Sequence, residues 1–333
     1  MAEFRKDPVD GRWVIIATER RKRFVGFHTE PYPESEERCA FCPGNEALTP
    51  GEIFSFRDSG SKKNEPGWRV RVIPNREPIL RVETELTREG VGYYDKISGL
   101  GAHEIIIESP NHNEVYSQLS VKSLGEIYLA YRERIIDLKK DQRLKYVLIF
   151  KNYGRTAGAI MDHPHSQLIA LPILPKQITE EMRGAREYFQ YRERCIFCDI
   201  IHQELEDKER LVFENSEFLV ICPWAPIFPF ELWVIPKNHR PSFDASRDDL
   251  LYLLAEAVKS AMTRLDQVLQ RPHFNLILHT VPFGEEKCEY YHWHLEIMPR
   301  LTQVAGFEYG SGFYINPVSP EEATGWLNRA EGL

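Results

Sequence analysis

Two stretches of the chain, HPHSQLIALP at residues 163–172 and HWHLEIMP at residues 292–299, each place two histidines one residue apart before an apolar run. Successive side chains of a strand point to opposite faces of a sheet. The first stretch therefore places His163, His165 and Gln167 on one face. Such a pair of stretches predicts a strand that occurs twice, with a row of polar side chains on each copy.

Each stretch closes a series of landmarks that appears twice along the sequence. The series runs from a C-x2-C pair through a strand ending in a histidine, a long helical segment and an apolar strand to the H-x-H stretch. His112 precedes His163 by 51 residues, and His239 precedes His292 by 53. Because order and spacing both match, we predict an internal duplication.

Several segments rich in β-branched and aromatic residues are bounded by Gly, Pro or Asn and predict short strands. They are RWVIIA, WRVRVI, HEIIIES, KYVLIFKN, FELWVIP, HFNLILHT and YYHWHLEIMP. Two long amphipathic segments predict helices capped by Ser120 and Ser246, and a third helix leads into the second cysteine pair. We predict an α+β fold of two duplicated halves, 1–180 and 181–333, with a mainly antiparallel sheet flanked by helices.

The composition of the 333 residues, 42% hydrophobic and 28% charged, is typical of a soluble globular protein. A net charge of −8 argues against broad nucleic-acid binding. No run of eighteen apolar residues occurs, and the polar start MAEFRKDPVDGR does not resemble a signal peptide. We therefore expect a cytoplasmic protein without a nucleic-acid or membrane partner. The basic run from Arg20 to Arg23 is a candidate phosphate site, with a solvated loop as the alternative.

The cysteine pairs indicate metal sites, because disulfides are rare in a reducing cytosol. Zinc in a structural site takes four Cys or His ligands in a tetrahedron. The duplicated order predicts two zinc ions per chain. The predicted ligands are Cys39, Cys42, His112 and His163 for the first, and Cys195, Cys198, His239 and His292 for the second. His103 and His279 are alternative ligands, and a redox role of the cysteine pairs is the weakest hypothesis.

If zinc holds His163, its neighbour His165 is fixed beside it, and a neutral imidazole can attack phosphorus. HPHSQ, after FKNYGRTAGA, resembles the active-site signature of the galactose-1-phosphate uridylyltransferases, a branch of the histidine-triad superfamily. The segments CAFCPGN, RVIPN, IESPNH, PKNH, HWHLEI and AGFEYGSGFYINP follow the order of that family. The resemblance covers nearly the whole chain and implies that both halves, 1–180 and 181–333, are histidine-triad-like.

This resemblance implies a ping-pong nucleotidyltransferase in which His165 carries the nucleotidyl group. The implied substrates are a nucleotide-sugar and a hexose 1-phosphate, first of all UDP-glucose and galactose 1-phosphate, and the implied assembly is a homodimer. Histidine-triad hydrolases carry a histidine where this chain has Gln167. A glutamine donates a hydrogen bond to a phosphoryl oxygen but is no acid or base at neutral pH, which favours transfer over hydrolysis.

The same resemblance implies several substrate-binding residues. Arg20 and Arg23 match phosphate-contacting arginines, Asn75 a residue at the nucleoside, Asn152 and Gly158 the region of the nucleotide phosphates, and Glu308 and Asn316 the hexose region. Two departures bear on specificity. Ile160 replaces a phosphate-binding serine, and the segment before GFE lacks a lysine that some members use on the hexose phosphate.

Two alternatives to this function remain open at this stage. The pattern also resembles plant ADP-glucose phosphorylase, which uses the same histidine chemistry. A zinc-stabilised nucleotide-binding protein without turnover is an alternative of another class.

In the second half, Glu296 stands at the position that Gln167 has in the first, and a carboxylate repels a phosphoryl group. We therefore expect the second half to be a structural copy rather than a second active site.

Overall fold

Fifteen strands and six α-helices follow one another in the residues that this computed structural model describes, 1–23 and 39–330; the side chains of residues 21–23 lie outside the description. The strands before residue 180 are β1 (Glu3–Lys6), β2 (Trp13–Ile16), β3 (Phe54–Arg57), β4 (Trp68–Pro74), β5 (Arg88–Val91), β6 (Tyr94–Ile97), β7 (Ala102–Ile107), β8 (Tyr146–Tyr153) and β9 (His165–Leu171). Those after it are β10 (Leu211–Glu214), β11 (Phe218–Ile221), β12 (Leu232–Pro236), β13 (Phe274–His279), β14 (His294–Pro299) and β15 (Tyr314–Asn316).

The helices are α1 (Val121–Leu138), α2 (Lys176–Arg192), α3 (Ile196–Asp207), α4 (Asp248–Leu269), α5 (Gly306–Ser311) and α6 (Pro320–Arg329). Ser120 caps α1, since its side chain accepts the Ser123 backbone N–H. The predicted cap of α4 is wrong: the helix begins at Asp248, so Arg247 holds the cap position and Ser246 lies one residue outside it. In the described residues, no helix has both the length and the apolar character needed to cross a bilayer.

Ten of the strands form one sheet in the order β10-β11-β12-β14-β13-β8-β9-β7-β4-β3. Every neighbouring pair in it is antiparallel. Counted outward from the central β8–β13 pair, the two five-stranded blocks repeat the same order of elements. The predicted α+β fold with a mainly antiparallel sheet is confirmed.

Helices α1 and α4 cover one face of this sheet and pack against each other. Residues of α1 at helical spacing, including Leu124, Tyr128 and Ile135, are buried in the main core. The helices approach closely at Gly125, where a Cβ would lie 2.3 Å from Cδ1 of Tyr252 on α4. Each large apolar side chain that this contact buries contributes about 1.5–3 kcal/mol relative to exposure.

The opposite face of the sheet differs between the two blocks. On β10–β14 it is covered by α2 and α3, which form a second core with residues such as Phe197 and Trp233. On the other block the same face carries a small cluster around Ile105 and Ile107 of β7. These two residues lie directly opposite Gln167 and His165 of β9, so the polar row of β9 stands on this face.

Candidate active site and metal centres

Four predicted ligands come together at one end of β9. The ligand atoms of Cys39, Cys42, His112 and His163 all lie within 4.8 Å of one another. Sγ of Cys42 is 3.4 Å from Nδ1 of His112 and 3.6 Å from Nδ1 of His163, and Sγ of Cys39 is 3.7 Å from the latter. Ligand atoms around a tetrahedral zinc ion lie about 3.4–3.8 Å apart. The geometry therefore fits zinc.

Local structure explains why these residues meet. The chain turns between Cys39 and Cys42, with the Cys42 N–H donating to the Cys39 carbonyl (3.3 Å). His112 follows β7 and His163 precedes β9, and these two strands pair antiparallel, so the end of one meets the start of the other.

The protonation of this cluster also suits a metal ion. His163 is buried, and its Nε2 donates to the Ser109 carbonyl (2.7 Å), which leaves Nδ1 as the ligand atom. Burial lowers the pKa of His163 to about 4, so the imidazole is neutral near pH 7. Burial and the neighbouring Cys39 raise the pKa of the Cys42 thiol to about 11. A thiolate at this position therefore needs the charge of a cation.

His165 is the first residue of β9 and is 7% exposed. Its Nδ1 lies 2.7 Å from the His163 carbonyl oxygen, which can only accept, so the proton is on Nδ1 and Nε2 carries a lone pair. Burial lowers the pKa of the imidazole, which keeps it neutral. On the neighbouring strand β8, Nζ of the buried Lys151 donates to the His165 carbonyl (3.1 Å) and forms an ion pair with Glu108.

Gln167 lies two residues further along the same face. Its Oε1 is 2.9 Å from Nε2 of His103 on β7. His103, an alternative metal ligand in the sequence interpretation, thus stands beside Gln167 and outside the first cysteine cluster.

The second set of predicted ligands also comes together. The ligand atoms of Cys195, Cys198, His239 and His292 lie within 4.8 Å of one another. Nδ1 of His292 is 3.5 Å from Sγ of Cys195, and Nδ1 of His239 is 3.7 Å from Sγ of Cys198. Each histidine directs Nε2 at a backbone carbonyl. A hydrogen bond from Cys195 lowers the pKa of the Cys198 thiol, which favours the thiolate that a metal ion binds.

A third group was missed by the sequence interpretation. Ligand atoms of the buried Glu181, His279 and His294 lie within 4.8 Å of one another, an arrangement that could hold a metal ion. His279 is 3.0 Å from Glu181 and 3.4 Å from Glu296. Although burial opposes it, these carboxylates raise the pKa of His279 well above its ordinary value. His279, the other alternative zinc ligand, thus belongs to this group.

Two models of known protein families match this chain. Residues 1–175 match the family model described as "Galactose-1-phosphate uridyl transferase, N-terminal domain", and residues 181–329 match that of the C-terminal domain. The chain belongs to the galactose-1-phosphate uridyl transferase family.

Relatives in this family carry two different names. The chain is 37% identical to ADP-glucose phosphorylase of Arabidopsis thaliana, over 96% of this chain and 90% of the relative. It is 27% identical to galactose-1-phosphate uridylyltransferase of Thermotoga maritima, over 99% of both chains. Since these relatives are nucleotidyltransferase-type enzymes, the predicted resemblance and the predicted enzyme class are confirmed.

A solved structure agrees with this assignment. The Arabidopsis thaliana ADP-glucose phosphorylase with bound ADP-glucose has a TM-score of 0.83 and 34% identity, and the match covers 98% of this chain and 99% of that one.

Within the galactose-1-phosphate uridyl transferase fold, some predicted substrate residues lie beside the β9 site. Nδ2 of Asn75 is 3.0 Å from Nε2 of His103. Asn152 lies on β8, and a Cβ on Gly158 would be 3.7 Å from its Nδ2. Gly158 has a positive φ of 86°, which ends a short helical turn, Arg155–Ala157.

The other predicted substrate residues of this family member lie elsewhere or outside the description. Arg20 is exposed in the 3-10 helix Thr18–Arg23, whereas the Arg23 side chain is outside the described residues. Glu308 accepts the Ala305 N–H at the start of α5. Asn316 is fully buried and bonds to the Pro226 carbonyl and the Val318 N–H. The substrate roles of these residues stay predictions.

Proposed function

We propose that this family member transfers a nucleotidyl group between a nucleoside diphosphate sugar and a second phosphate compound, with His165 as the covalent carrier. The observation that carries this proposal is the hydrogen bond from Nδ1 of His165 to the His163 carbonyl. It fixes the tautomer that leaves the Nε2 lone pair available. The buried strand start holds the ring still, which lowers the entropy cost of attack.

In the first step, Nε2 attacks the α-phosphorus, and the bond between this phosphorus and the bridging oxygen breaks. Hexose 1-phosphate leaves with the electron pair of that bond, and the imidazole ring takes up positive charge. The Nδ1–H to carbonyl bond stabilises this charge. In the second step, an oxygen of the acceptor phosphate attacks the same phosphorus, and the N–P electron pair returns to the imidazole.

Gln167 has a distinct part in this reaction. Its amide donates a hydrogen bond to a phosphoryl oxygen, on which negative charge grows in the transition state. A phosphate leaving group needs no proton at neutral pH, so the lack of an acid at position 167 costs little in transfer. It also leaves no base there to activate water, which protects the intermediate from hydrolysis.

The first cysteine cluster supports this site mechanically. Zinc, when bound there, would supply a rigid tetrahedral tether that fixes His163 and so the backbone next to His165. We propose zinc at both Cys2His2 clusters, two ions per chain, on the strength of their interatomic distances. We also keep the division into a catalytic half, 1–180, and a structural copy with a C-terminal substrate segment, 181–333.

Two nucleotide-sugars are candidates. The 37% identity to an ADP-glucose phosphorylase, against 27% to a galactose-1-phosphate uridylyltransferase, favours ADP-glucose with phosphate as acceptor. The galactose-1-phosphate uridyl transferase family models, which match both halves, support the second candidate, UDP-glucose with galactose 1-phosphate, which was the first choice from the sequence. Homodimer formation and a cytoplasmic location stay predictions.

Mass spectrometry of the intact protein tests the proposal. The protein is mixed separately with ADP-glucose and UDP-glucose, quenched, and weighed. We expect an adenylyl adduct from the first or a uridylyl adduct from the second, and none on His165→Ala. A binding protein without turnover would give no adduct with either sugar in the wild type, which would refute the proposal.

A further inference from the structure

The amide of Gln167 can face the substrate in two ways. Its oxygen and nitrogen ends are almost the same size, so rotation by 180° exchanges a donor for an acceptor at no steric cost. Only the orientation with NH2 toward the phosphoryl group stabilises the developing charge, and the reverse places a carbonyl oxygen against phosphoryl oxygens. Some group must therefore select the orientation.

His103 is in contact with Gln167, and its tautomer is set by the backbone. The Ile79 N–H points at Nδ1 of His103 across 3.3 Å. A backbone amide can only donate, so Nδ1 accepts, and the neutral ring must carry its proton on Nε2. That nitrogen lies 2.9 Å from Oε1 of Gln167 and donates to it. With its oxygen held by His103, Gln167 turns its NH2 end away from His103.

Asn75 does not compete for this proton. The Glu77 N–H donates to Oδ1 of Asn75 (3.0 Å), so the NH2 end of Asn75 faces the His103 ring. This NH2 nitrogen is 3.0 Å from Nε2 and 3.3 Å from Nδ1. An atom almost equally far from both ring nitrogens cannot lie along the lone pair of each. Asn75 thus packs on the ring and leaves the His103–Gln167 bond in place.

His103 is held firmly enough to act in this way. It is 8% exposed and lies on β7, where it pairs with Ile169 of β9, two residues from the position that faces Gln167. The two side chains are diagonal neighbours on one face of adjacent strands. The contact is built into the sheet and does not depend on a loop.

We infer that His103 is a positioning residue that fixes the Gln167 amide with its NH2 end toward the transferred phosphoryl group. The inference rests on the proposed function, since only that gives Gln167 its task. His103 acts through Gln167 and without contact with substrate. Removing it should therefore lower kcat and leave the KM for the nucleotide-sugar nearly unchanged.

The test compares variants that separate hydrogen bonding from packing. His103→Phe fills the site without a donor, whereas His103→Gln can accept from Ile79 and donate to Gln167. We expect His103→Phe to lower kcat about three- to tenfold, the value of one hydrogen bond, and His103→Gln to restore most of it. His202→Phe, at an exposed position of α3, is the matched control and should behave as the wild type. If the phenyl ring prevents folding, His103→Ala gives the same reading.

Combination with Gln167→Ala makes the test specific. If His103 acts only through Gln167, the double variant His103→Phe with Gln167→Ala should be no slower than Gln167→Ala alone. Additive losses, an unchanged kcat in folded His103→Phe, or equal losses in His103→Phe and His103→Gln would each overturn the inference. The proposed function fails separately, by the absence of a covalent adduct when the wild type is mixed with ADP-glucose or UDP-glucose.

Discussion

The two blocks of the sheet present equivalent histidines in different surroundings. His165 and His294 each begin a strand and direct Nδ1 at the carbonyl two residues earlier, at 2.7 and 3.2 Å. His165 is followed on its face by the neutral Gln167. His294 is followed by the carboxylate Glu296 and stacks on His279, with ring centroids 4.8 Å apart.

In both halves the H-x-H strand holds an imidazole with Nδ1 directed at a backbone carbonyl, and the two rings differ in the side chains around them. A phosphoryl group at His294 would meet Glu296, whose pKa the nearby His279 lowers well below the ordinary range despite burial, and with it a full negative charge. At His165 the corresponding position holds the neutral amide of Gln167, which in the proposed reaction donates a hydrogen bond to the phosphoryl group. The same backbone thus holds a buried ionic cluster in one block and, in the other, the site to which we assign the proposed reaction.

The largest expected effect separates the two histidines. His165→Ala should abolish nucleotidyl transfer, by roughly 10⁴-fold or more, because it removes the nucleophile. His294→Ala should retain transfer and lower the melting temperature, because it opens a buried cluster. Sugar-exchange kinetics and thermal unfolding measure both variants. If His165→Ala transferred at the wild-type rate, His165 would not be the nucleophile. If only His294→Ala lost transfer, the nucleophile would lie in the second half.

The next effect concerns the residue that differs between the halves. Gln167→Ala should slow transfer by roughly a hundred- to a thousandfold through loss of one donor to transition-state charge. Gln167→His should raise hydrolysis of the intermediate relative to transfer, because it adds an acid–base group. Product analysis after mixing with the nucleotide-sugar gives both quantities. The matched change Glu296→Gln should leave transfer unaffected, and a large loss there would contradict the structural role of the second half.

A smaller difference in activity is expected between variants of the two cysteine–histidine clusters. Cys42→Ala should remove one zinc ion and lower transfer about ten- to a hundredfold, because it frees the tether of His163. Cys198→Ala should also remove one ion but act mainly on the melting temperature. Metal analysis of protein purified without chelator, with kinetics on the same samples, checks this. Equal losses of activity in the two variants would remove the distinction, and wild type without bound zinc would refute both sites.

Most strands of the sheet could be predicted because they consist of runs rich in β-branched and aromatic residues. The hairpin of β5 and β6 was not predicted, because its strands, REGV and YDKI, have no continuous run of such residues, and every residue in them is exposed. Helix α3 was missed for another reason: Cys195 caps it and Cys198 lies in its first turn, and this stretch was interpreted as part of a metal motif.

The two Cys2His2 clusters were predictable because the duplication fixes the order of their residues. The contact between His103 and Gln167 was not, since it depends on the register of β7 against β9, which spacing in the sequence does not reveal. The cluster of Glu181, His279 and His294 was not predicted, because Glu181 lies on α2 and the sequence does not reveal which strands this helix packs against. Cross-strand and helix-to-sheet contacts thus set the limit of the sequence interpretation.

The smallest expected effect concerns Glu231, which directly precedes β12. This strand holds the place in its block of the sheet that β7 holds in the other block. It is 2% exposed, and burial together with Glu296 raises its pKa to about 8. The unfolded chain loses this proton near pH 4.5, whereas the folded chain keeps it to about pH 8. Between these values the folded state binds more protons, so this group makes the free energy of unfolding fall as pH rises, by at most about 1.4 kcal/mol per pH unit.

Glu231→Gln should remove this contribution and little else, because a glutamine oxygen can still accept the N–H groups of Ile227 and Phe228 that the carboxylate now accepts. Relative to wild type, the variant should therefore gain stability as pH rises from about 5 to 8, with transfer kinetics unchanged. Urea unfolding of both proteins across this range measures the difference. A difference that stays constant with pH would show that Glu231 is already ionised in the folded state, and that Arg12, whose charge opposes the effect of burial, dominates its surroundings.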